Sequence, residues 1–286
     1  MSALKPLPTG FASTLTEQQS KCLEELQDRM NKSEYAKDLA RDPAGTNLLL
    51  QFLRATMKDK NGERIFQVDA AEQRLKAMFD WRREFNLEEV QDAVESGSSF
   101  RPENFELFSK LYPALDVVNE ETGQLVRFLR FGRFISTIDT SVLSHRDWTR
   151  CFAYECFDLQ NRLRKLSQKY GREISTYAVI SDLHGISFMG VVSRVNFVKM
   201  MSAVASNNFP EMMGQTLLVR GPSMLPTIFN FVKPFIDKDV QAKFVLRSDL
   251  PMDLIEALIP LSTVPKEFGG TSDVFYPQCL HDTKNH

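Results

Sequence analysis

"NNFPEMMGQTLLVRGPSMLPTIFNFVKPFIDKDVQAKFVL", Asn207 to Leu246, holds two strand-like runs on either side of a helix-like one. "GQTLLVRG" (Gly214–Gly221) and "KFVLRS" (Lys243–Ser248) are short apolar runs of strand length. Between them, Pro222 to Lys238 carries large apolar side chains at helical spacing, broken by prolines. Strand, helix and strand in that order predict a right-handed crossover and a parallel pair.

The same alternation continues on the N-terminal side. "TYAVISDLHG" reads as a buried strand ending at Gly185, and a helical segment runs from about Val191 to Ser206. "ALDVVNEETGQLVRFLRF" gives two extended runs around a turn holding Gly123, with Val126, Phe128 and Leu129 suited to a strand. From Trp148 to Tyr170, apolar residues step by three and four, and Gly171 is a stop signal. The part before about residue 95 is helical instead. Thr16 is a candidate cap ahead of Leu23 and Leu26, and Leu49, Leu50 and Leu53 make one stripe beside Phe52. Ala71, Leu75, Met78, Phe79 and Trp81 make another, with Asp69 as its cap. The expected organisation is a loose tail at 1–15, a helical module at 16–95, an α/β domain at 96–275 and a C-terminal tail at 276–286. The expected class is α/β with a mostly parallel sheet.

Composition narrows the function. The chain has 286 residues, 43% of them hydrophobic, and a formal net charge of −2, which disfavours nonspecific nucleic-acid binding. Its 22 Phe and 11 Met supply oily side chains for a large core or a lined apolar cavity. Cys22, Cys151, Cys156 and Cys279 form no C-x-x-C, and no His lies at metal-ligand spacing from them. The expectation is reduced thiols in a cytoplasmic protein, with no cofactor and no metal. No apolar run is long enough to span a bilayer, so membrane contact would be peripheral.

Phosphate-cradling loops are missing: neither G-x-G-x-x-G nor G-x-x-x-x-G-K-[ST] follows a strand. "SDLHGISFMG" is the nearest approach to an enzyme motif. Ser187 follows a strand as a nucleophile elbow would, but Met189 stands where the second Gly belongs. Asp182 and His184 sit close in sequence. Ser187 reads as a helix cap before it reads as a hydrolase nucleophile.

An ordered set of motifs resembles the CRAL-TRIO lipid-binding and transfer family. "FPEMMG" looks like the family's aromatic-Pro-Glu-x-x-Gly, "LLVRGP" stands at its strand before Asn-Ala-Pro, and "VKPFID" looks like Lys-Pro-Phe-Leu-Asp. "AKFVL" and "VPKEFGG" resemble its late strand and its terminator. Upstream, "SDLHGIS", "FDWRREFN" and "LLLQFLRAT" match in order, so the likeness runs from about residue 48 to 271. It implies that the sheet floors an apolar pocket holding one lipid, closed by a gate helix, behind an all-helical N-terminal module.

That gate would be the proline-broken helix. On a wheel, Leu225, Ile228, Phe229, Val232, Phe235 and Ile236 cluster, and Met224 and Phe231 widen the arc beyond the stripe a surface helix needs. Gly221 is a candidate pivot, and Pro234 reads as an interior proline that kinks the helix. The wheel alone fits a kinked core helix equally well; the resemblance favours a gate.

For the headgroup, Glu211 and Lys243 match the family's phosphatidylinositol pair, while Thr56 and Val240 replace an Arg and a Thr of that set. The phosphatidylcholine set is replaced by Tyr177, Val179 and Arg127. Arg127, Arg130 and Arg133 read as a solvated basic face or a membrane-facing one. The resemblance therefore implies a monomeric protein that exchanges a phospholipid, foremost phosphatidylinositol, at a membrane surface and presents it to a lipid kinase. The alternatives are a carrier of a sterol, isoprenoid or tocopherol-like ligand, and an α/β hydrolase using Ser187.

Overall fold

The computed structural model describes residues 9–60, 63–236 and 238–274. Cys279, His281, the tail at 276–286, residues 1–8 and Asp237 lie outside the described residues. The chain divides into two compact units: Met1–Ser98 with Asn207–Glu211, and Ser99–Ser206 with Met212–His286.

The first unit is helical, with a small antiparallel hairpin. Its elements are α1 (Glu17–Asn31), α2 (Ala36–Arg41), α3 (Thr46–Ala55), β1 (Lys58–Lys60), β2 (Glu63–Ile65), α4 (Val68–Glu84) and α5 (Glu88–Ser96). Leu26, Met30, Leu49, Phe52, Leu53, Leu75 and Phe79 are buried together. Thr16 caps α1 through a full capping box with Gln19. The expected Asp69 cap is not formed. Gln67 holds the cap position, and Asp69, one residue into the first turn, pairs with Arg29 at 2.7 Å.

The reading of 1–15 as a loose tail needs correction over its described part. Phe11 is buried, with the Arg54 guanidinium 4.2 Å above its ring, and Arg54 Nη1 donates to the Gly10 carbonyl at 3.1 Å. The ring under its cation and the carbonyl bond together anchor this stretch to α3. Asn207–Glu211 adds Phe209, which meets Trp81 edge-on at 6.1 Å.

The second unit is the α/β part. It runs α6 (Phe105–Leu111), β3 (Ala114–Val118), β4 (Leu125–Leu129), α7 (Phe131–Thr137), α8 (His145–Tyr170), β5 (Tyr177–Asp182), α9 (Phe188–Ser193) and α10 (Val195–Asn208). Then come β6 (Met213–Val219), α11 (Leu225–Val232), α12 (Lys238–Gln241), β7 (Phe244–Leu246) and α13 (Met252–Leu258). The sheet order is β3-β4-β5-β6-β7. The β3–β4 pair is antiparallel, and every later pair is parallel. The turn between β3 and β4 is built by Asn119, whose Oδ1 accepts from the Glu121 and Thr122 N–H groups, and by Gly123 at φ 71°. Gly171, at φ 62°, ends α8 as the sequence predicts. The β5 strand stops at Asp182, short of Gly185, and the expected single helix after it is two, α9 and α10, parted at Arg194.

Strand alternation gives the sheet two unlike faces. Val126, Phe128, Ala178, Ile180, Leu217 and Val219 face Ile255 and Ile259, Val264 and Phe268, a sealed apolar layer. The opposite face carries the registered row Asp116, Arg127, Val179, Thr216 and Phe244.

Candidate functional site

The segment after β6 starts from a close approach. The Gly221 N–H donates to the Arg247 carbonyl at 3.0 Å, and a Cβ on Gly221 would lie 2.3 Å from Leu225 Cδ2. A side chain there would force Leu225 to move off its packing, while the φ of Gly221 is not in the left-handed region. α11 then runs for eight residues, with Pro226 near its start, where the missing N–H costs no helical bond.

The expected kinked helix through Ile236 is replaced by an ending. α11 stops at Val232, Lys233–Phe235 forms a 3-10 turn, and Ile236 is extended at φ −117°, ψ 131°. Pro234 has no N–H to give the Asn230 carbonyl, so the α-helical ladder closes just before it. Three hydrogen bonds hold the turn. Ser202 Oγ donates to the Phe235 carbonyl at 2.9 Å, and Gln241 Nε2 donates to the Lys233 and Ile236 carbonyls at 3.0 and 2.7 Å.

The broad apolar arc splits between neighbours. Ile228 is buried, and Phe231 and Val232 pack with it against the cluster of Phe108, Phe134, Trp148 and Phe197. Phe231 meets Phe188 edge-on at 5.6 Å, and Phe229 meets Phe244 of β7 at 5.7 Å. Phe235 lies under the Lys199 ammonium at 4.2 Å. Met224 is exposed. One flank of α11 thus covers helices, while the other covers the end of the row that carries Phe244.

Of the headgroup candidates, Glu211 closes the Asn207–Glu211 segment of the first unit with φ at 60°, strained for a side chain with a Cβ. Lys243, in the second unit, is half-buried just before β7, and its carbonyl accepts from the Thr216 N–H at 2.9 Å. Thr56 turns its hydroxyl back to the Phe52 carbonyl at 2.9 Å.

Arg127 contradicts the reading of a solvated basic face. It is 4% exposed, and its Nε and Nη2 clasp Asp116 at 2.7 and 2.8 Å while Nη2 also reaches Glu155 at 3.0 Å. Arg162 adds a second cation to Asp116 at 2.5 Å. Burial alone would raise the Asp116 carboxyl, but Arg127 and Arg162 outweigh it and hold it below the ordinary range. Burial raises Glu155 against the pull of Arg127. It also pushes the Tyr112 phenol up to about 12, and it raises Tyr177 further.

Ser187 is a cap in geometry: its Oγ accepts from the Gly190 N–H at 3.0 Å at the start of α9. Asp182 is engaged by Arg220 Nε at 3.0 Å and by the His184 backbone N–H at 2.9 Å, and the His184 side chain is exposed. The three do not assemble a triad. Among the described residues, no group of His, Cys, Asp and Glu is placed to hold a metal, and no helix is long and apolar enough to cross a membrane.

Comparison with known proteins agrees with this architecture. The chain is 28% identical over 273 residues to the SEC14 cytosolic factor of Kluyveromyces lactis, covering 93% of this chain and 82% of that one. It is 28% identical over 272 residues to the SEC14 cytosolic factor of Eremothecium gossypii, covering 93% and 80%. A solved structure described as the crystal structure of Sfh5 shares the fold, with a TM-score of 0.53 at 14% identity over 82% of this chain and 81% of that one. Residues 119–270, which span the hairpin turn, the parallel strands and the segment around α11, match the CRAL/TRIO domain model, and the chain belongs to the CRAL-TRIO family.

Proposed function

We propose that this CRAL-TRIO lipid-binding and transfer protein holds one phospholipid, phosphatidylinositol, against the face of the sheet that carries Val179, Thr216 and Phe244. It exchanges the lipid at membranes through movement of Leu225–Ile236. The carrying observation is the split packing of that segment. An eight-residue helix with apolar side chains on two flanks is followed by a 3-10 turn held by three side-chain hydrogen bonds. Such a piece can leave as a unit without unravelling the strands on either side. Gly221 and Pro234 mark its two ends.

Glu211 and Lys243 are the proposed headgroup contacts, the carboxylate accepting from inositol hydroxyls and the ammonium meeting the phosphate. The protein works in this reading as a cytoplasmic monomer that visits membranes and presents its lipid to a lipid kinase, with the helical module and the lipid domain as its two working parts. A carrier of another hydrophobic ligand is the second reading, favoured by Thr56 and Val240 where the family's polar set has Arg and Thr.

Transfer of phosphatidylinositol between vesicles tests the assignment. Glu211→Ala and Lys243→Ala should each lower the rate about tenfold or more, as loss of a charged hydrogen bond does, with circular dichroism unchanged. Undiminished transfer in both variants would remove the headgroup assignment.

A further inference from the structure

Arg220, the residue just before Gly221, sits at φ 52°. Among the described residues four non-glycine residues take a positive φ, and two of them are Asn, which tolerates it. Arg lacks that tolerance, so contacts beyond its own backbone hold it there. Its side chain supplies them. Nε and Nη2 grip the Asp182 carboxylate at 3.0 and 2.5 Å, at the end of the neighbouring strand β5. The guanidinium lies 5.8 Å from the Phe268 ring centroid, and Glu267 beside that ring pairs with Arg130 at 3.0 Å.

Asp182 is the fixed post of this pair. It also accepts the His184 N–H at 2.9 Å, and the Leu183 N–H that follows it donates to the Val219 carbonyl at 2.8 Å. Gly132 of α7 closes the other side, since a Cβ on it would lie 2.4 Å from the Leu183 carbonyl oxygen. Arg220 is the freer partner, its side chain 32% exposed against 9% for Asp182. It also directs the chain. Its N–H donates to the Asp249 carbonyl at 3.2 Å, beside the Gly221 bond to Arg247, so the exit of β6 is tied to the loop after β7. A forked, charge-assisted grip fixes orientation as well as energy. Without it nothing in the side chain keeps Arg220 left-handed, and a relaxed φ would swing everything beyond Gly221.

We infer that Arg220 is a positioning residue for lipid release. Its pair with Asp182 holds a strained backbone and, through it, the closed position of Leu225–Ile236; opening of the pair frees the segment. This rests on the transfer reading above and names the residue that times it.

The test preloads the full-length protein with pyrene-labelled phosphatidylinositol and times its release to phosphatidylcholine vesicles, with the thermal midpoint measured alongside. Asp182→Asn keeps the shape of the post and weakens the grip, while the strain remains. Release should quicken about tenfold, the worth of one charge-assisted hydrogen bond. Adding Arg220→Asn removes the strain, because Asn accepts a positive φ. The double variant should therefore return close to the wild-type rate. An Asp182 that mattered only for the His184 N–H would leave the double variant as fast as the single one. Should Asp182→Asn not fold, Arg220→Lys takes its place: it keeps charge and strain, loses the fork, and should release faster than Arg220→Asn. The inference is overturned if the weakened variant releases at the wild-type rate, or if Asn at position 220 does not slow release. Either result with the wild type still transferring phosphatidylinositol sinks this inference alone. A wild type that takes up no phosphatidylinositol sinks the transfer reading with it.

Discussion

Asp116 decides much at the residue scale. Its carboxyl is held below the ordinary range, so the stability contributed by its ion pairs with Arg127 and Arg162 is fully present above the unfolded value of about 3.9 and is lost as pH falls from there through the lower folded value. Glu155 runs the other way: its raised carboxyl favours the protonated form in the fold, so its contribution declines as pH rises past the unfolded value of about 4.3. In a Trp81→Phe background, with Trp148 as the reporter, the urea midpoint should fall steeply as pH drops below about 4. Asp116→Asn should cost about 3–5 kcal/mol at neutral pH by leaving Arg127 buried against a neutral group, and it should flatten that acid slope. An acid slope unchanged in the variant would show that the pair is not what acid breaks. The sequence offered a route to this pair. Asn119 and Gly123 fix the turn, and the turn fixes the register that sets Asp116 opposite Arg127. Reading Arg127 only by its three-residue spacing from Arg130 and Arg133 concealed it, because β4 is a strand and its period is two.

Elements were legible where periodicity was long and ends were marked, as in α8 with its Gly171 stop. The segment from Leu225 to Ile236 was legible in character but not in extent. A helical wheel assumes that the ladder continues, and Pro234 ends it, so Phe235 and Ile236 leave the helix and are placed by Ser202 and Gln241 instead. Two tests belong here. Gly221→Ala should destabilise the protein by about 1–3 kcal/mol, because the new methyl meets Leu225. A disulfide in Ser202→Cys/Phe235→Cys would clamp the turn to α10. Oxidised, this variant should transfer lipid at a small fraction of its own rate after reduction. Equal rates in the two states would show that the segment need not move.

For the whole molecule, the α/β class and the parallel crossovers follow from the strand–helix–strand order around Asn207–Leu246, and the family rests on motifs kept in sequence order. The unit boundary was less legible. Asn207–Glu211 is distant in sequence from the helical unit it joins, and the meeting of Phe209 with Trp81 marks it. Long-range packing of one aromatic leaves no periodic trace. The described part of the N-terminal segment escaped for the same reason, since the Phe11 ring and the Gly10 carbonyl are held by Arg54, far away in sequence.

The central claim is that the chain is a vessel for one lipid. Native mass spectrometry of the full-length protein, purified without detergent and followed by extraction and identification of whatever is released, tests it most directly. One lipid per chain should be found, with phosphatidylinositol among the extracted species and lost on Lys243→Ala. A protein that stays lipid-free after incubation with phosphatidylinositol vesicles, while folded by circular dichroism, would contradict it.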